Sequence, residues 1–436
     1  MKENRTWRKI EFNDILSHRK KDRIIGLAFP AQNKGFGLKS TLEPAVLSVL
    51  PSGNNVEFSL DNIDFNDNDV KYYVCSVYIS GFDEFKIWAE KHNRKKIIVG
   101  GYHPTTFPEE FIRYAEKIVQ GPCDNFYDTI AQEGQIVNGI LSFKNLPRYD
   151  LYDIKLNQQV IPDKKKEDRC GSVWTSQGCP MRCDFCCSPM MAPSLISKPI
   201  SALKKEIAQI KKLSPKWLFI RDENFPLQKD WKNRLDLISE TKAKIYLFAS
   251  ANLLNKEVLR FMKEKGVYMI CLGLEDITVP YEKNKKLDEV VDLIKINKIY
   301  TYLSFIVDPL KIVGREAGEE FYQKLMHRFH ELKPEMVCGN FLMPFRGTKI
   351  WDKYYQYVGP DDYKHYDSKT AFLIKNPIAR EKMQFFMFWY QWQYYTSDFY
   401  NKNVRKFAVN DTLYQRFCEL YDEYTPRYEK LWDVRP

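Results

Sequence analysis

Three cysteines stand close together in the segment Gln177-Gly178-Cys179-Pro180-Met181-Arg182-Cys183-Asp184-Phe185-Cys186-Cys187. The C-x3-C-x2-C spacing puts Cys179, Cys183 and Cys186 in one loop, where three thiolates can clasp three corners of a [4Fe–4S] cube. Such clusters are ordinarily held by one thiolate per iron, so three leave an iron open to a small chelating molecule. The competing reading is a zinc site short of its fourth ligand. Cys187 is a poor fourth ligand, because adjacent cysteines seldom both reach one ion.

The elements that must position this loop alternate between strand and helix. Residues 173–176 read as a strand directly before it. After it come helix 201–213, strand 217–221, helix 231–241, strand 244–249, helix 256–265, strand 268–272, helix 287–297, strand 302–307, helix 316–332 and strand 336–343. Gly266 stops the third of these helices, as a glycine just past a helix end commonly does. About six β/α units suit a partial barrel better than a closed eight-unit one.

An earlier stretch alternates in the same way. Strands are expected at 23–29, 56–60, 70–79 and 96–101, with a fifth entered from 114–119, and helices at 42–50 and 83–92. This rhythm predicts a doubly wound parallel sheet, whose ligands bind beyond the carboxyl ends of its strands. The loops at those ends are Gly35–Gly37, residues 78–82, and Gly100-Gly101-Tyr102-His103-Pro104-Thr105. The expected division is therefore a first domain at 1–140, a linker at 141–171, a second domain at 172–353 and a helical region at 354–436. In that last region Phe385, Phe388, Trp389, Trp392 and Tyr395 fall at helical spacing and read as a stripe packed on the second domain, or as the wall of a pocket.

A chain of 436 residues exceeds what one core usually organises, and 44% hydrophobic with 28% charged residues is ordinary globular composition. The net charge of +10 comes from 67 Lys and Arg against 57 Asp and Glu. It is concentrated in short runs, Arg19-Lys20-Lys21, Arg94-Lys95-Lys96 and Lys164-Lys165-Lys166, which read as solvated faces. No aromatic-interleaved basic motif points to nucleic acid. The polar start lacks a secretory segment, and no apolar run reaches the roughly 18 residues of a membrane span. A cytoplasmic monomer without a membrane partner is the expectation, and its ten cysteines are then thiols or metal ligands rather than disulfides. Cys75, Cys123, Cys170, Cys271, Cys338 and Cys418 are scattered and read as buried structural thiols.

The cysteine segment, with Phe185 before the third cysteine and a strand just ahead, resembles the radical S-adenosylmethionine (SAM) superfamily. The resemblance implies that SAM occupies the open iron and that one electron cleaves it to methionine and a 5′-deoxyadenosyl radical. The protein's share is position and exclusion of water. Phe219-Ile220-Arg221-Asp222-Glu223-Asn224-Phe225 resembles the acidic signature of the cobalamin-binding group, which implies Asp222 and Glu223 as catalytic acids at the open end of the barrel. A turn after a strand is the structural alternative there. Gly273-Leu274-Glu275-Asp276 is similar to the family's "GxES" ending of the fourth strand and implies Glu275 as a SAM contact. Phe185, Ser250 and Asn252 join it as SAM-binding residues. Met343-Pro344-Phe345-Arg346-Gly347-Thr348 resembles the "PxPGT" turn, with a structural role equally open.

The first zone resembles the cobalamin-binding domain of class B methylases, on the "GGxHPT" match at Gly100–Thr105. The resemblance spans roughly residues 20 to 350. The family's second landmark is reduced here to Gly121-Pro122-Cys123-Asp124. On this resemblance the fold is α/β, a flavodoxin-like (Rossmann-type) cobalamin-binding domain followed by a partial (β/α)6 radical SAM barrel and a helical C-terminal region. Tyr78, Ser80, Gly100, Gly101, His103 and Pro104 would line cobalamin. The D-x-H-x-x-G motif is absent, so no histidine is expected on the cobalt; the same fold without the cofactor is the alternative.

The implied activity is methylation of an unactivated carbon by a 5′-deoxyadenosyl radical and methylcobalamin, with a [4Fe–4S] cluster, SAM and cobalamin as cofactors. Rearrangement, ring contraction or cyclisation is the alternative within the family, and a non-catalytic iron–sulfur redox sensor the alternative outside it. The substrate would be a small molecule or peptide, and the electron donor a flavodoxin or ferredoxin.

Overall fold

The computed structural model describes residues 23–29, 45–59, 64–152 and 168–404, which form two compact units. The expected loop at Gly35–Gly37, the start of helix 42–50, the basic runs at 19–21 and 164–166, and Cys418 lie outside the described residues.

The first unit is built on β1 (Arg23–Phe29), β2 (Val56–Ser59), β3 (Val70–Val77), β4 (Ile97–Gly100), β5 (Lys117–Gln120) and β6 (Ile136–Asn138). All pair in parallel, in the order β2-β1-β3-β4-β5-β6. The order reverses between β1 and β3, the place where a doubly wound sheet opens a crevice at its carboxyl edge. The β-branched and aromatic run VKYYVCSV makes β3 the buried centre of the sheet. Helix Phe82–Ala89 packs on it: Phe85 and Trp88 meet Phe29 at 5.4 and 5.6 Å, and Trp88 meets Tyr73 edge-on at 5.0 Å.

The second unit holds β7 (Cys170–Val173), β8 (Ser176–Gln177), β9 (Ile196–Ser197), β10 (Trp217–Ile220), β11 (Lys244–Phe248), β12 (Val267–Glu275), β13 (Tyr300–Val307) and β14 (Met336–Phe341). Six of these form one parallel sheet in the order β14-β13-β12-β11-β10-β7, and β8 pairs with β9 in an antiparallel hairpin. Each sheet neighbour follows its partner along the chain through a helix, as parallel pairing requires. The strand expected at 173–176 lies three residues earlier, because Trp174 and Thr175 turn out of the sheet toward the hairpin.

The aromatic segment does not form a domain of its own. Helix Pro377–Thr396 belongs to the second unit and covers the edge strand β14. The Val337 N–H donates to the Tyr395 hydroxyl at 2.8 Å, and the Gly339 N–H to Gln391 Oε1 at 3.3 Å. A covered edge cannot pair with another chain. Phe388 and Tyr395 are buried as the stripe predicts, whereas Phe385, Trp389 and Trp392 are half-buried beside it. Among the described residues no helix is long and apolar enough to cross a membrane.

Candidate active site

The cysteine loop projects from the carboxyl end of β7 and is closed at its base by the β8–β9 hairpin, where Gln177 pairs with Ile196. Gly178 makes the closure possible. Its φ is +82°, and a Cβ there would meet the Ser194 carbonyl at 2.2 Å. Inside the loop the Cys186 N–H bonds the Cys183 carbonyl at 3.0 Å, turning the two thiols into one bend. Cys179 is buried, and Cys183, Cys186 and Cys187 are half-buried. The turn Met343–Thr348 supports the loop from outside through the residues that follow it: Ile350 N–H donates to the Asp184 carbonyl at 3.1 Å and Lys349 pairs with its carboxylate at 2.8 Å.

Burial raises the Cys179 thiol, and the neighbouring Cys186, Glu223 and Cys183 add to it. Burial raises Cys183 as well, opposed by the Lys283 ammonium. Protons held this way are those a metal displaces on binding. Cys187 is pushed up to about 12 by burial and by Cys186. Among the described residues no three His, Cys, Asp or Glu side chains are gathered to hold a single metal ion. In a cluster each thiolate meets a different iron.

Asp222 does not face the open end of the sheet. It is fully buried, and its carboxylate accepts from the Thr175 N–H at 2.6 Å, the Thr175 hydroxyl at 2.5 Å, the Ser176 hydroxyl at 2.7 Å and Gln228 Nε2 at 2.8 Å. A group so enclosed positions β8 rather than touching a reactant. Glu223 is the acid that reaches the loop. Burial raises its carboxyl, the charge of Asp222 adds to this, and the Gly178 N–H opposes it. Its Oε2 is buried without a hydrogen-bond partner.

Glu275 ends β12 in the left-handed region at φ +61°, which is rare for a residue with a side chain and concentrated at functional sites. Its carboxylate folds back over Gly273, where a Cβ would meet Oε1 at 1.9 Å, and it pairs with Lys283. Burial lowers the Lys283 ammonium, but Glu275 and then Cys183 and Cys186 outweigh it, so the lysine holds its proton more firmly than usual. Lys283 also lies 5.6 Å above the Phe185 ring, which meets Tyr281 at 6.0 Å. Asp276 is occupied elsewhere, by Thr278 and by Lys311 at 2.7 Å.

Ser250 stands after β11, its hydroxyl accepting from Asn224 Nδ2 at 2.7 Å, and Asn224 also reaches the Met181 sulfur at 3.6 Å. Asn252 is exposed on the next turn. Thus Phe185, Glu223 and Glu275 gather around the cysteines and Ser250 joins them through Asn224. Lys283 and Asn224 are the residues to which the sequence gave no role. Asn224 stands inside the acidic segment beside Glu223, and no motif or spacing marks Lys283.

In the first unit Tyr78 follows β3 and is 48% exposed, Ser80 lies on the turn Ile79–Gly81, and Gly100 and Gly101 end β4. The expected loop after them is instead a short helix, Tyr102–Thr106, which carries His103 and Pro104 inward. His103 is 0% exposed, 2.8 Å from Glu110 and ringed by Phe82, Phe107 and Phe111 at 4.5 to 5.3 Å. It packs as a core residue, and Pro104 is buried with it.

No family model matches the chain. It is 24% identical over 329 residues to the bacteriochlorophyllide d C-8(2)-methyltransferase of Chlorobaculum tepidum, covering 67% of this chain and 70% of that protein. It is 25% identical over 234 residues to a biotin synthase of Methanococcus maripaludis, covering 52% and 71%. Among solved structures, the radical S-adenosylmethionine methyltransferase TsrM of Kitasatospora setae, with cobalamin and a [4Fe–4S] cluster bound, matches with a TM-score of 0.53 at 13% identity over 78% of this chain and 79% of that one. Its form with tryptophan and a SAM analogue matches with a TM-score of 0.52 over 77% of each, again at 13% identity, a likeness of fold. With a hairpin-closed cysteine loop on one parallel sheet and a doubly wound sheet ahead of it in sequence, the chain is similar in sequence to the bacteriochlorophyllide methyltransferase and in fold to TsrM.

Proposed function

We propose that this chain is a cobalamin-dependent radical SAM methyltransferase acting on an unactivated carbon of a small-molecule or peptide substrate. The observation that carries the reading is the grouping of three cluster-spaced thiols with Glu223 and the Lys283–Glu275 pair at one carboxyl edge of a parallel sheet. When bound, the cluster, SAM and methylcobalamin supply one-electron cleavage, hydrogen abstraction and the methyl group.

The rest is the work of the chain's own residues. Cys179, Cys183 and Cys186 would hold three irons once their protons leave. Phe185 and Tyr281 would form an apolar wall that keeps water off the open position. Glu223, with its unpartnered Oε2, would accept from the amino group of SAM, where a charge-assisted bond is strong. Glu275, oriented by Lys283 and by the space over Gly273, would offer a second acceptor. Ser250 and Asn252 flank the same edge, and Asp222 keeps β8 in place.

In the first unit, read as flavodoxin-like, Tyr78, Ser80, Gly100 and Gly101 would face the corrin at the β3 and β4 ends, and no histidine would ligate cobalt. The second unit is read as a partial (β/α)6 barrel. Anaerobic reconstitution should give equimolar cobalamin, 5′-deoxyadenosine under strong reductant, and transfer of a labelled SAM methyl group. Absence of 5′-deoxyadenosine would sink the reading, and cobalamin without methyl transfer would redirect it to a rearrangement.

A further inference from the structure

The sheet of the second unit has one face against helices, where Phe305 of β13 meets Phe329 of helix Arg315–Leu332 at 5.6 Å. The other face carries three rows of side chains that climb toward the carboxyl edge across β7, β10 and β11. In the lowest row Trp217 pairs with Lys244, whose ammonium lies 4.9 Å over the Trp217 ring and 4.1 Å over Tyr268. Above it Ser172, Phe219 and Tyr246 stand in register, with Phe219 stacked on Tyr246 at 4.5 Å. Trp217, Ser172, Phe219 and Tyr246 are all buried, so these two rows are filled.

The third row is open. Trp174 and Arg221 leave β7 and β10 side by side, joined by the Arg221 N–H to the Val173 carbonyl at 2.9 Å, and the guanidinium lies 3.6 Å over the indole ring. Phe248 ends β11 on the same face, edge-on to Phe219 at 5.2 Å. Trp174 and Arg221 are half-buried, and Phe248 is 38% exposed. Both faces of a parallel sheet are ordinarily covered, so a bare phenylalanine above two filled rows is the floor of a binding surface rather than a gap in the core. Its place in the fold says what covers it. Ser250, two residues beyond Phe248, and its partner Asn224 stand at the next step of the same edge, together with Glu223 and the Lys283–Glu275 pair. A carbon that loses hydrogen to a radical formed there must touch that group, and the open row is the surface adjoining it.

We propose that this open row binds the substrate, and that the substrate is a planar aromatic molecule whose ring lies on Phe248 beside the Trp174–Arg221 stack. Aromatic walls favour an aromatic guest, because edge-to-face and offset contacts add to the area buried. The Arg221 guanidinium, already over one ring, attracts the electron-rich face of another in the same way. Phe248 and Trp174 are then specificity-determining residues: they hold the ring and so decide which of the carbons attached to it faces SAM. The assignment rests on the radical SAM reading for the reaction, though not for the binding.

The test is calorimetric titration of the anaerobically reconstituted full chain, in the presence of SAM, with 2-naphthol and its saturated counterpart decahydro-2-naphthol. The two share a hydroxyl and a size, so hydrophobic burial alone favours the saturated one. Ring contacts should reverse this and bind 2-naphthol at least about fivefold more tightly. Phe248→Leu, which keeps the apolar bulk, should abolish most of that preference while iron loading stays normal. Photolysis of bound 2-azidonaphthalene should label the peptides that carry Phe248 and Trp174, a reading in the wild-type protein that stands even where the variant fails to fold. Equal affinity for the two naphthols overturns the aromatic class, and labelling confined to other peptides overturns the site. Release of 5′-deoxyadenosine under strong reductant is followed in the same preparations. Its absence beside an intact aromatic preference sinks the radical SAM reading alone, and its presence with no preference sinks this proposal alone.

Discussion

Thr175 is bound to Asp222 twice, through its N–H at 2.6 Å and its hydroxyl at 2.5 Å, so that the residue leaving β7 is fixed to the one leaving β10. Asp222→Ala strips both bonds and leaves a buried N–H without its acceptor. The expected loss is about 3–5 kcal/mol of stability, since such charge-assisted bonds count for more than neutral ones and an orphaned donor adds its desolvation cost. Thermal unfolding would read it directly. A variant that unfolds at the wild-type temperature would show the carboxylate is not structural.

Cys187 and Cys183 separate ligand from bystander. Cys187→Ser should leave the iron content unchanged, because adjacent cysteines seldom both reach one cluster. Cys183→Ala should lower it sharply. Iron and sulfide analysis after anaerobic loading distinguishes them, and equal losses would mean that four cysteines, not three, hold the cluster.

Glu223→Gln should load iron normally yet bind SAM at least about tenfold more weakly, the cost of replacing a charged acceptor by a neutral one. Titration calorimetry on the cluster-loaded protein would show it. An unchanged affinity would remove Glu223 from the SAM site.

Glu335 lies at the other end of the sheet, 4% exposed, with its carboxylate accepting the Thr301 N–H at 2.7 Å. Burial pushes it up to about 7 against an ordinary 4.5. The folded chain therefore binds this proton more tightly than the unfolded one. The resulting stability is full below pH about 4.5 and is lost as pH rises through about 7, by about 3 kcal/mol across the window. Glu335→Gln should lack that slope. Urea midpoints of the two proteins at about pH 4 and about pH 8 check it, and parallel slopes would refute it.

Both sheets were legible because their strands are apolar and regularly spaced, and strands β10 and β11 begin where the pattern places them. Shorter elements left no pattern. Ile136–Asn138 has only three residues, and the β8–β9 hairpin has two on each side, too few for alternation to register. Glu275 could be read from its neighbours, but its partner Lys283 stands on an unremarkable turn. His103 misled for the opposite reason. Its glycine-flanked surroundings look like an exposed loop, and only the fold brings Phe82, Phe107 and Phe111 around the ring. Cys338 sits at a regular strand position, and nothing in the chain near it announces that Lys369, 31 residues away, donates to its sulfur.

The β8–β9 clasp relieves the thiols of any structural duty. Ser176 and Gln177 pair with Ser197 and Ile196 through backbone bonds alone, so the strands that shut the base of the loop ask nothing of Cys179, Cys183 or Cys186.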